Sequence, residues 1–325
     1  MVRCEECLRA NPPTRVTCLY CNAPLPSNAA TANLQKPSLR PLEKWEQGYN
    51  TILLTTPANG LNEATLADAA DLLKLSQESL KRIIASNQPM PLTRTATFDE
   101  ASLLDLRLNR MGLKTIAVSD KDLGIPESPP HRVRALQLDD SGMNMQQTPD
   151  AGGVYLRWSE LSLLIVGRLI ARSVELQERH SSRAEHEILD ASEILTDVAV
   201  VDIYAQTLRR SFRILANSFD YSCLGEEKSL LAEKNFSVLL QLTCRRAPQT
   251  EYDDAYNSLR LALEAAWPAE QQTMSRGWRR ERPGKYSVGA VTETSSENQF
   301  TRYSRLRYYL KQNPPEAMVH TNEDT

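Results

Sequence analysis

Hydrophobic and polar positions change period several times along the chain, and each change predicts an element. Thr51-Ile52-Leu53-Leu54-Thr55 is a short apolar run closed by Pro57 and Gly60, which predicts a strand. Ala64 to Leu73 carries apolar residues at helical spacing, and Ser76 stands where it can cap a second helix running through Ser86. Pro91 to Thr97 predicts another strand. Thr97-Phe98-Asp99-Glu100 is a capping box, whose hydroxyl and carboxylate satisfy orphan backbone donors at a helix start. The helix it opens sets Leu104, Leu108 and Met111 on one face, Gly112 stops it, and Leu113 to Ser119 predicts a third strand. The order β-α-α-β-α-β fills residues 49–123 as a small α/β domain.

Three prolines between Gly124 and Pro130 mark a linker at 124–130. Val133 to Leu138 and Met143 to Gln147 then predict two strands around an Asp139-Asp140-Ser141-Gly142 turn, and Gly152-Gly153 turns the chain again. Val154 to Trp158 leads through Ser159-Glu160 into Leu161–Val166. After Gly167-Arg168, Leu169 to Leu176 alternates in period two, with Ile170, Val174 and Leu176 on one face. Glu178 to Glu187 is charged and predicts a mobile hairpin tip or loop. Val200 to Tyr204 and Ser211 to Ala216 predict two further strands. Leu230 to Arg246 predicts an amphipathic helix with Phe236, Leu239, Leu240 and Leu242 available for packing. Residues 131–248 therefore read as a β-domain ended by one long helix. Thr250 to Trp267 has helical period, with Tyr252, Tyr256, Leu259 and Leu263 on one stripe, and Thr301 to Gln312 predicts a last short helix. The whole of 249–312 reads as a helical and basic arm, and 313–325 as a disordered tail.

The element order over 49–123 resembles the C-terminal domain of the bacterial ribosomal stalk protein, which implies a docking surface for other proteins. Leu156-Arg157-Trp158-Ser159-Glu160-Leu161 followed by Ile165-Val166-Gly167-Arg168 resembles the third-strand turn of bacterial pleckstrin-homology-like domains. That resemblance covers 131–248 and implies a β-barrel capped by the helix, with Trp158 as a core or rim anchor. In such a fold the ligand can be a lipid headgroup, a peptide or another protein, so the fold does not name it.

The composition bounds this picture without redirecting it. The chain has 325 residues, 41% hydrophobic and 24% charged, with a net charge of −3. At roughly 100–200 residues per domain this allows two or three folded units, and the balance excludes a wholly disordered chain. Thirty-eight Lys and Arg against 41 Asp and Glu exclude a globally polybasic nucleic-acid binder, though not a local basic patch. Met1-Val2-Arg3-Cys4 lacks the apolar core of a secretory signal. The longest apolar stretch, near Leu161–Ala171, is interrupted by Ser162, Gly167 and Arg168, where a bilayer span takes about 20 apolar residues. The expectation is a cytoplasmic protein with no transmembrane segment. Residues 27–48, rich in Ala, Asn, Pro and Ser, read as a linker.

The sharpest chemistry lies before that linker. Four of the six cysteines form Cys4-Glu5-Glu6-Cys7 and Cys18-Leu19-Tyr20-Cys21. Zinc takes four soft ligands at tetrahedral corners about 2.3 Å from the metal, and a two-residue spacer lets one tight turn aim two sulfurs at one ion. A unit of residues 1–26, ended by Pro24 and Pro26, cannot bury a core, so metal would supply most of its folding free energy. Two disulfides or a redox pair could use the same spacing, but a reducing compartment favours metal thiolates. One structural Zn2+ on Cys4, Cys7, Cys18 and Cys21 is expected. The pattern Cys4-x2-Cys7-x3-Asn11-x6-Cys18-x2-Cys21, followed by Asn22-Ala23-Pro24, resembles the Ran-binding-protein-type zinc finger, whose members bind single-stranded RNA or ubiquitin. The chain departs from that family where a ligand would be chosen. The family's Trp two residues before the first Cys is Val2 here, and the Thr-Phe pair of ubiquitin-binding members is Leu8-Arg9. A generic bacterial zinc ribbon used for protein contacts fits the spacing as well.

Elsewhere the candidates are few. His180 and His186 sit in a charged stretch without further ligands and read as surface residues. Cys223 and Cys244 read as small apolar residues, and no His stands at a spacing that would make either a nucleophile. Arg276, Trp278, Arg279, Arg280, Arg282 and Lys285 interleave cations with an aromatic ring, which suits phosphate contact plus base stacking on single-stranded nucleic acid. The same residues suit an anionic lipid surface or acidic faces of the chain's own domains. The expected function is a non-enzymatic, zinc-binding adaptor or regulator acting through protein contacts. The alternative is a single-stranded nucleic-acid-binding or ribosome-associated protein using Arg9, Arg15 and the 276–286 segment.

Overall fold

A computed structural model of the chain describes residues 1–21, 23, 25–26, 37, 39–43, 46–55, 60–125, 129–147, 153–181, 186–206, 210–282 and 285–314, with side chains except at 177–190 and 278–288. The chain divides into two units, one of Met1–Ser128, Leu259–Pro268 and Arg305–Thr325, the other of Pro129–Ser258 and Ala269–Ser304.

In the first unit, β1 (Val2–Arg3) and β2 (Ala10–Asn11) pair antiparallel beside the cysteines. Then follow β3 (Tyr49–Thr55), α1 (Glu63–Leu73), α2 (Gln77–Ala85), β4 (Met90–Thr95), α3 (Phe98–Arg110) and β5 (Lys114–Ser119). This is the β-α-α-β-α-β order that the apolar pattern predicts. β3 lies between β4 and β5, antiparallel to both. Its unbroken apolar run is explained by burial on both faces, since Thr51, Ile52, Leu53 and Leu54 are all buried. Helix starts are fixed by side chains: Asn62 Oδ1 accepts from Thr65 N at 2.7 Å, Ser76 Oγ from Ser79 N at 3.1 Å, and Thr97 Oγ1 from Glu100 N at 3.3 Å. Trp267, distant in sequence, is buried in this unit and donates from Nε1 to Asn50 Oδ1 at 2.8 Å. Asn50 in turn donates to Asp120, which also pairs with Arg94 and accepts from Gly48 N.

The second unit begins with β6 (His131–Arg132), followed by an antiparallel meander of β7 (Ala135–Leu138), β8 (Gly142–Gln146) and β9 (Val154–Arg157). Along the chain there follow β10 (Leu161–Ser181), β11 (His186–Ala205), β12 (Ser211–Leu215), α4 (Ala232–Arg246), β13 (Glu251–Asp253), α5 (Tyr256–Leu263), β14 (Glu270–Arg282), β15 (Lys285–Ser295) and α6 (Glu297–Gln312), of which α5 from Leu259 and α6 from Arg305 belong to the first unit. The sheet runs β14-β15-β10-β11-β12-β6, with β13 beside β10, and curls into a half-barrel. Leu136, Met145 and Leu156 of the meander, Leu164, Val201, Ile203 and Phe212 of the sheet, and Phe236 and Leu239 of α4 share one buried cluster. Trp158 is buried there and its Nε1 donates to Asp139 O at 3.0 Å. On the same unit, Arg213 is fully buried and forks onto Asp202 through Nε at 2.6 Å and Nη2 at 2.7 Å, with Glu297 and Thr301 of α6 taking further donors. A buried charge so paired contributes little net stability, but losing one partner costs about 3–5 kcal/mol.

Three expectations need correction. Leu161–Val166 and Leu169–Leu176 are parts of one strand, β10, and the expected loop over 178–187 is in its described residues the end of β10 and the start of β11. The expected helix from Thr250 to Trp267 is β13 followed by the shorter α5. The expected helical and basic arm over 249–312 is largely a hairpin, β14–β15, added to the sheet through β15 and β10. Residues 271–277 of β14 are all exposed, so that stretch has no buried face to impose an alternating pattern, and pairing with β15 sets its conformation. Of the expected tail, residues 315–325 lie outside the described residues.

Candidate metal centre

Each cysteine pair sits on a tight turn. In the first, Leu8 adopts φ +58° and donates its N–H to Cys4 O at 3.0 Å, while Cys4 N donates to Arg9 O at 3.0 Å. In the second, Cys18 N donates to Ala23 O at 2.7 Å. Asn11, fully buried, ties the turns together: Oδ1 accepts from Leu19 N at 2.9 Å, and Nδ2 donates to Arg9 O at 3.0 Å and Cys18 Sγ at 3.4 Å. This is the Asn between the knuckles on which the zinc-finger resemblance rests in part.

All four Sγ atoms of Cys4, Cys7, Cys18 and Cys21 lie within 4.8 Å of one another. Cys4 to Cys21 is 3.6 Å and Cys7 to Cys18 is 3.5 Å, with all four thiols unbridged. A tetrahedron with 2.3 Å bonds separates its corners by about 3.8 Å, so the sulfurs stand at the spacing of ligands to one metal ion. Four thiolates at this spacing are a donor set that suits zinc. Electrostatics agrees. Burial raises the Cys18 thiol, but N–H donors from Tyr20, Cys21 and Asn11 outweigh it and hold it down at about 6. At Cys21 the backbone of Ala23 favours the thiolate, yet burial and the facing sulfurs of Cys7, Cys4 and Cys18 push it up to about 12. Crowded thiols resist ionising together unless a cation neutralises them.

Sequence reading missed two residues here. Leu25 is fully buried against Cys4 and Cys18, and its N–H donates to Val16 O at 2.8 Å. Val16 packs on Leu103 and Leu106 of α3. A single leucine between prolines carries no period, so only the hydrophobicity of the residue itself pointed to it. Val2, where the zinc fingers that the cysteine spacing resembles carry Trp, packs against the same small cluster. Leu8, Leu19 and Tyr20 are exposed at 65%, 53% and 57%, with the Arg9 guanidinium 4.7 Å from the Tyr20 ring centroid. Arg15, weighed as a phosphate contact, donates from Nε to Thr17 O at 3.1 Å.

The other candidates are dispersed. Arg276 pairs with Glu175 at 2.6 Å. Trp278, Arg279, Arg280 and Arg282 follow it along β14, and Lys285 opens β15, so one hairpin carries all six. His180 and His186 stand opposite each other in the β10–β11 register. Cys223 and Cys244 are half-buried beside the core of their unit, and burial pushes the Cys223 thiol up to about 11. A cleft of about 510 Å3 in the first unit is lined by Asp68, Asp71 and Lys74 with Arg107, Arg110 and Met111. Both signs of charge interleave at the ends of two helices there, without a nucleophile. Among the described residues no helix is long and apolar enough to cross a membrane. No family model, curated protein or solved structure matches the chain.

Proposed function

We propose that the chain is a non-enzymatic adaptor in which one structural Zn2+, held by Cys4, Cys7, Cys18 and Cys21, stiffens a small ribbon that presents its knuckle tips to a protein partner. The observation that carries this reading is the pairing of the four-sulfur cluster with three exposed apolar residues, Leu8, Leu19 and Tyr20, on the turns that hold the sulfurs. A structural zinc site closed by four thiolates has no open position for substrate, so its output is shape. Exposed apolar side chains beside a rigid turn are what a protein interface uses as its centre. The antiparallel β4-β3-β5 sheet supports the likeness of 49–123 to the stalk protein's docking domain, and the meander, curled sheet and α4 support a pleckstrin-homology-like reading of 131–248. The nucleic-acid alternative rests on the collection of Arg276, Trp278, Arg279, Arg280, Arg282 and Lys285 on one hairpin.

The test combines metal analysis with capture. Purified protein should carry about one zinc per chain, released by a strong chelator together with loss of the fold of 1–26. Leu8→Glu with Leu19→Glu should keep the zinc and lose any partner retained by the unaltered chain. Protein free of metal with four titratable thiols removes the zinc claim, and partner capture unaffected by the double substitution removes the claim about the tips.

A further inference from the structure

Helix α3 is apolar on more than one side. Leu104 and Leu108 are fully buried and form the stripe that its sequence announces. Leu106 stands about 160° round the helix from Leu104, on the side where a surface helix ordinarily meets water. Here that side is covered by the cysteine-bearing unit. Val16 and Leu103 are 5% and 1% exposed and form one buried contact, against which Leu106 packs. Glu5, between the first two cysteines, also lies near Asp99 in the first turn of α3. Burial first, and the Glu5 carboxylate second, push the Asp99 carboxyl up. The apolar contact therefore works against a like-charge pair.

What holds Val16 in place is the second cysteine turn. Val16 O accepts from Leu25 N at 2.8 Å, and Cys18 N donates to Ala23 O at 2.7 Å, so residues 16–25 close on themselves around Cys18 and Cys21. Leu25 is buried against Cys4 and Cys18, and these three are the whole fully covered apolar cluster of the unit. So small a cluster does not offset the entropy of ordering the segment. The position of Val16 therefore depends on the ion that gathers the four sulfurs.

We infer that the ribbon is a metal-dependent cover for α3: with Zn2+ on Cys4, Cys7, Cys18 and Cys21, Val16 is seated on Leu103 and Leu106, and release of the metal uncovers them. This rests on the zinc reading above and adds what the metal controls inside the chain. The ribbon then has two working sides, Val16 turned to α3 and Leu8, Leu19 and Tyr20 turned to solvent. Linkage makes the effect reciprocal: the factor by which zinc strengthens the seat is the factor by which the seat strengthens zinc binding. A substitution on α3, far from every cysteine in sequence, must therefore weaken the hold on the metal. A ribbon that only rested beside the helix would show no such dependence.

Two measurements on the full chain test it, with Zn2+ itself as the probe. Zinc affinity, read by competition with a chromogenic chelator, should fall at least about tenfold in Val16→Asp and about fivefold in Leu106→Asp. Leu106→Ala removes packing without placing a charge, so it should weaken zinc binding in the same direction by less, and it decides the matter if an aspartate variant does not fold. Hydrogen exchange at the α3 amides of the unaltered chain should quicken at least about tenfold on chelation. In the chelated state the substitutions should add nothing to it, because Val16 has already left its seat. Protection of the β3 amides throughout reports that the α/β domain is folded. Zinc affinity within about twofold of the unaltered chain in all the folded variants overturns the inference and leaves the zinc reading standing. So does α3 exchange that chelation does not move. Protein that binds no zinc overturns both.

Discussion

Asp139 fixes the first turn of the meander almost alone. Its Oδ1 accepts from Ser141 Oγ and Ser141 N, each at 2.7 Å, from Gly142 N at 2.8 Å and from Tyr155 Oη at 2.9 Å. The Ser141 hydroxyl is the largest of these influences, and together they hold the carboxyl at about 2, below its ordinary 3.8. Four donors aimed at one carboxylate favour its charged form. The sign follows from linkage: the contribution is full above the ordinary value and is lost as pH falls toward the folded one. Asp139→Asn should therefore be less stable than the unaltered chain at about pH 5, with the gap closing toward about pH 2. Urea midpoints across that range read it directly, and a gap constant with pH would show that the carboxylate's charge is not what the turn uses. Asn11 plays the same part between the cysteine turns, with one amide serving three backbone or sulfur partners.

At the scale of elements, β10 passes from a mostly buried stretch over 161–169 to a half-buried one over 170–176. Gly167 belongs to the first, because a Cβ there would lie 2.7 Å from Phe300 Cε2 and 2.8 Å from Tyr256 Cδ1. Gly167→Ala should cost about 1–3 kcal/mol by overpacking. Gly289→Ala in the neighbouring β15 meets the flexible Arg276 side chain, with Cβ as its nearest atom at 3.2 Å, and should cost clearly less. Chemical denaturation of both variants gives the comparison, and equal losses would mean that the aromatic packing at Gly167 yields. The same division explains what could be read beforehand. β3, α3 and α4 pack apolar residues on a core, and their periods announce them. The cysteine turns are equally legible, since their chemistry is local and needs only spacing. The outer parts of β11 and β14 are exposed over 191–197 and 271–277, so their sequences carry no burial pattern from which a strand could be inferred. Their conformation comes from the neighbouring strand of each hairpin, β10 for β11 and β15 for β14.

For the molecule as a whole, sequence order and spatial order disagree. The chain passes between the two units after Ser128, Ser258, Pro268 and Ser304. Residues 49–123 read as a freestanding domain because every strand and helix of the β-α-α-β-α-β order lies inside them. Yet Trp267 is buried in that unit, and its indole satisfies Asn50 in the middle of the central strand. Arg307 reaches Gln88 of the same unit at 3.2 Å. Without residues 259–268, Asn50 Oδ1 loses its donor, and a buried acceptor left unsatisfied costs about 1–3 kcal/mol. Removing the apolar surface of a buried Trp adds about 3–5 kcal/mol. Small domains are stable by roughly 5–15 kcal/mol in total, so the two losses take most of what a unit of this size has. The fragment 46–125 alone should therefore show no cooperative unfolding transition and fast hydrogen exchange at the β3 amides, whereas the full chain protects them. Within the full chain, Trp267→Phe keeps most of the packing and removes only the donor, so it should lose a third or less of what Trp267→Ala loses. An isolated fragment that melts cooperatively with native-like protection at β3 would show that the segment folds without its distant tryptophan, and that Trp267 only covers a core complete before it arrives.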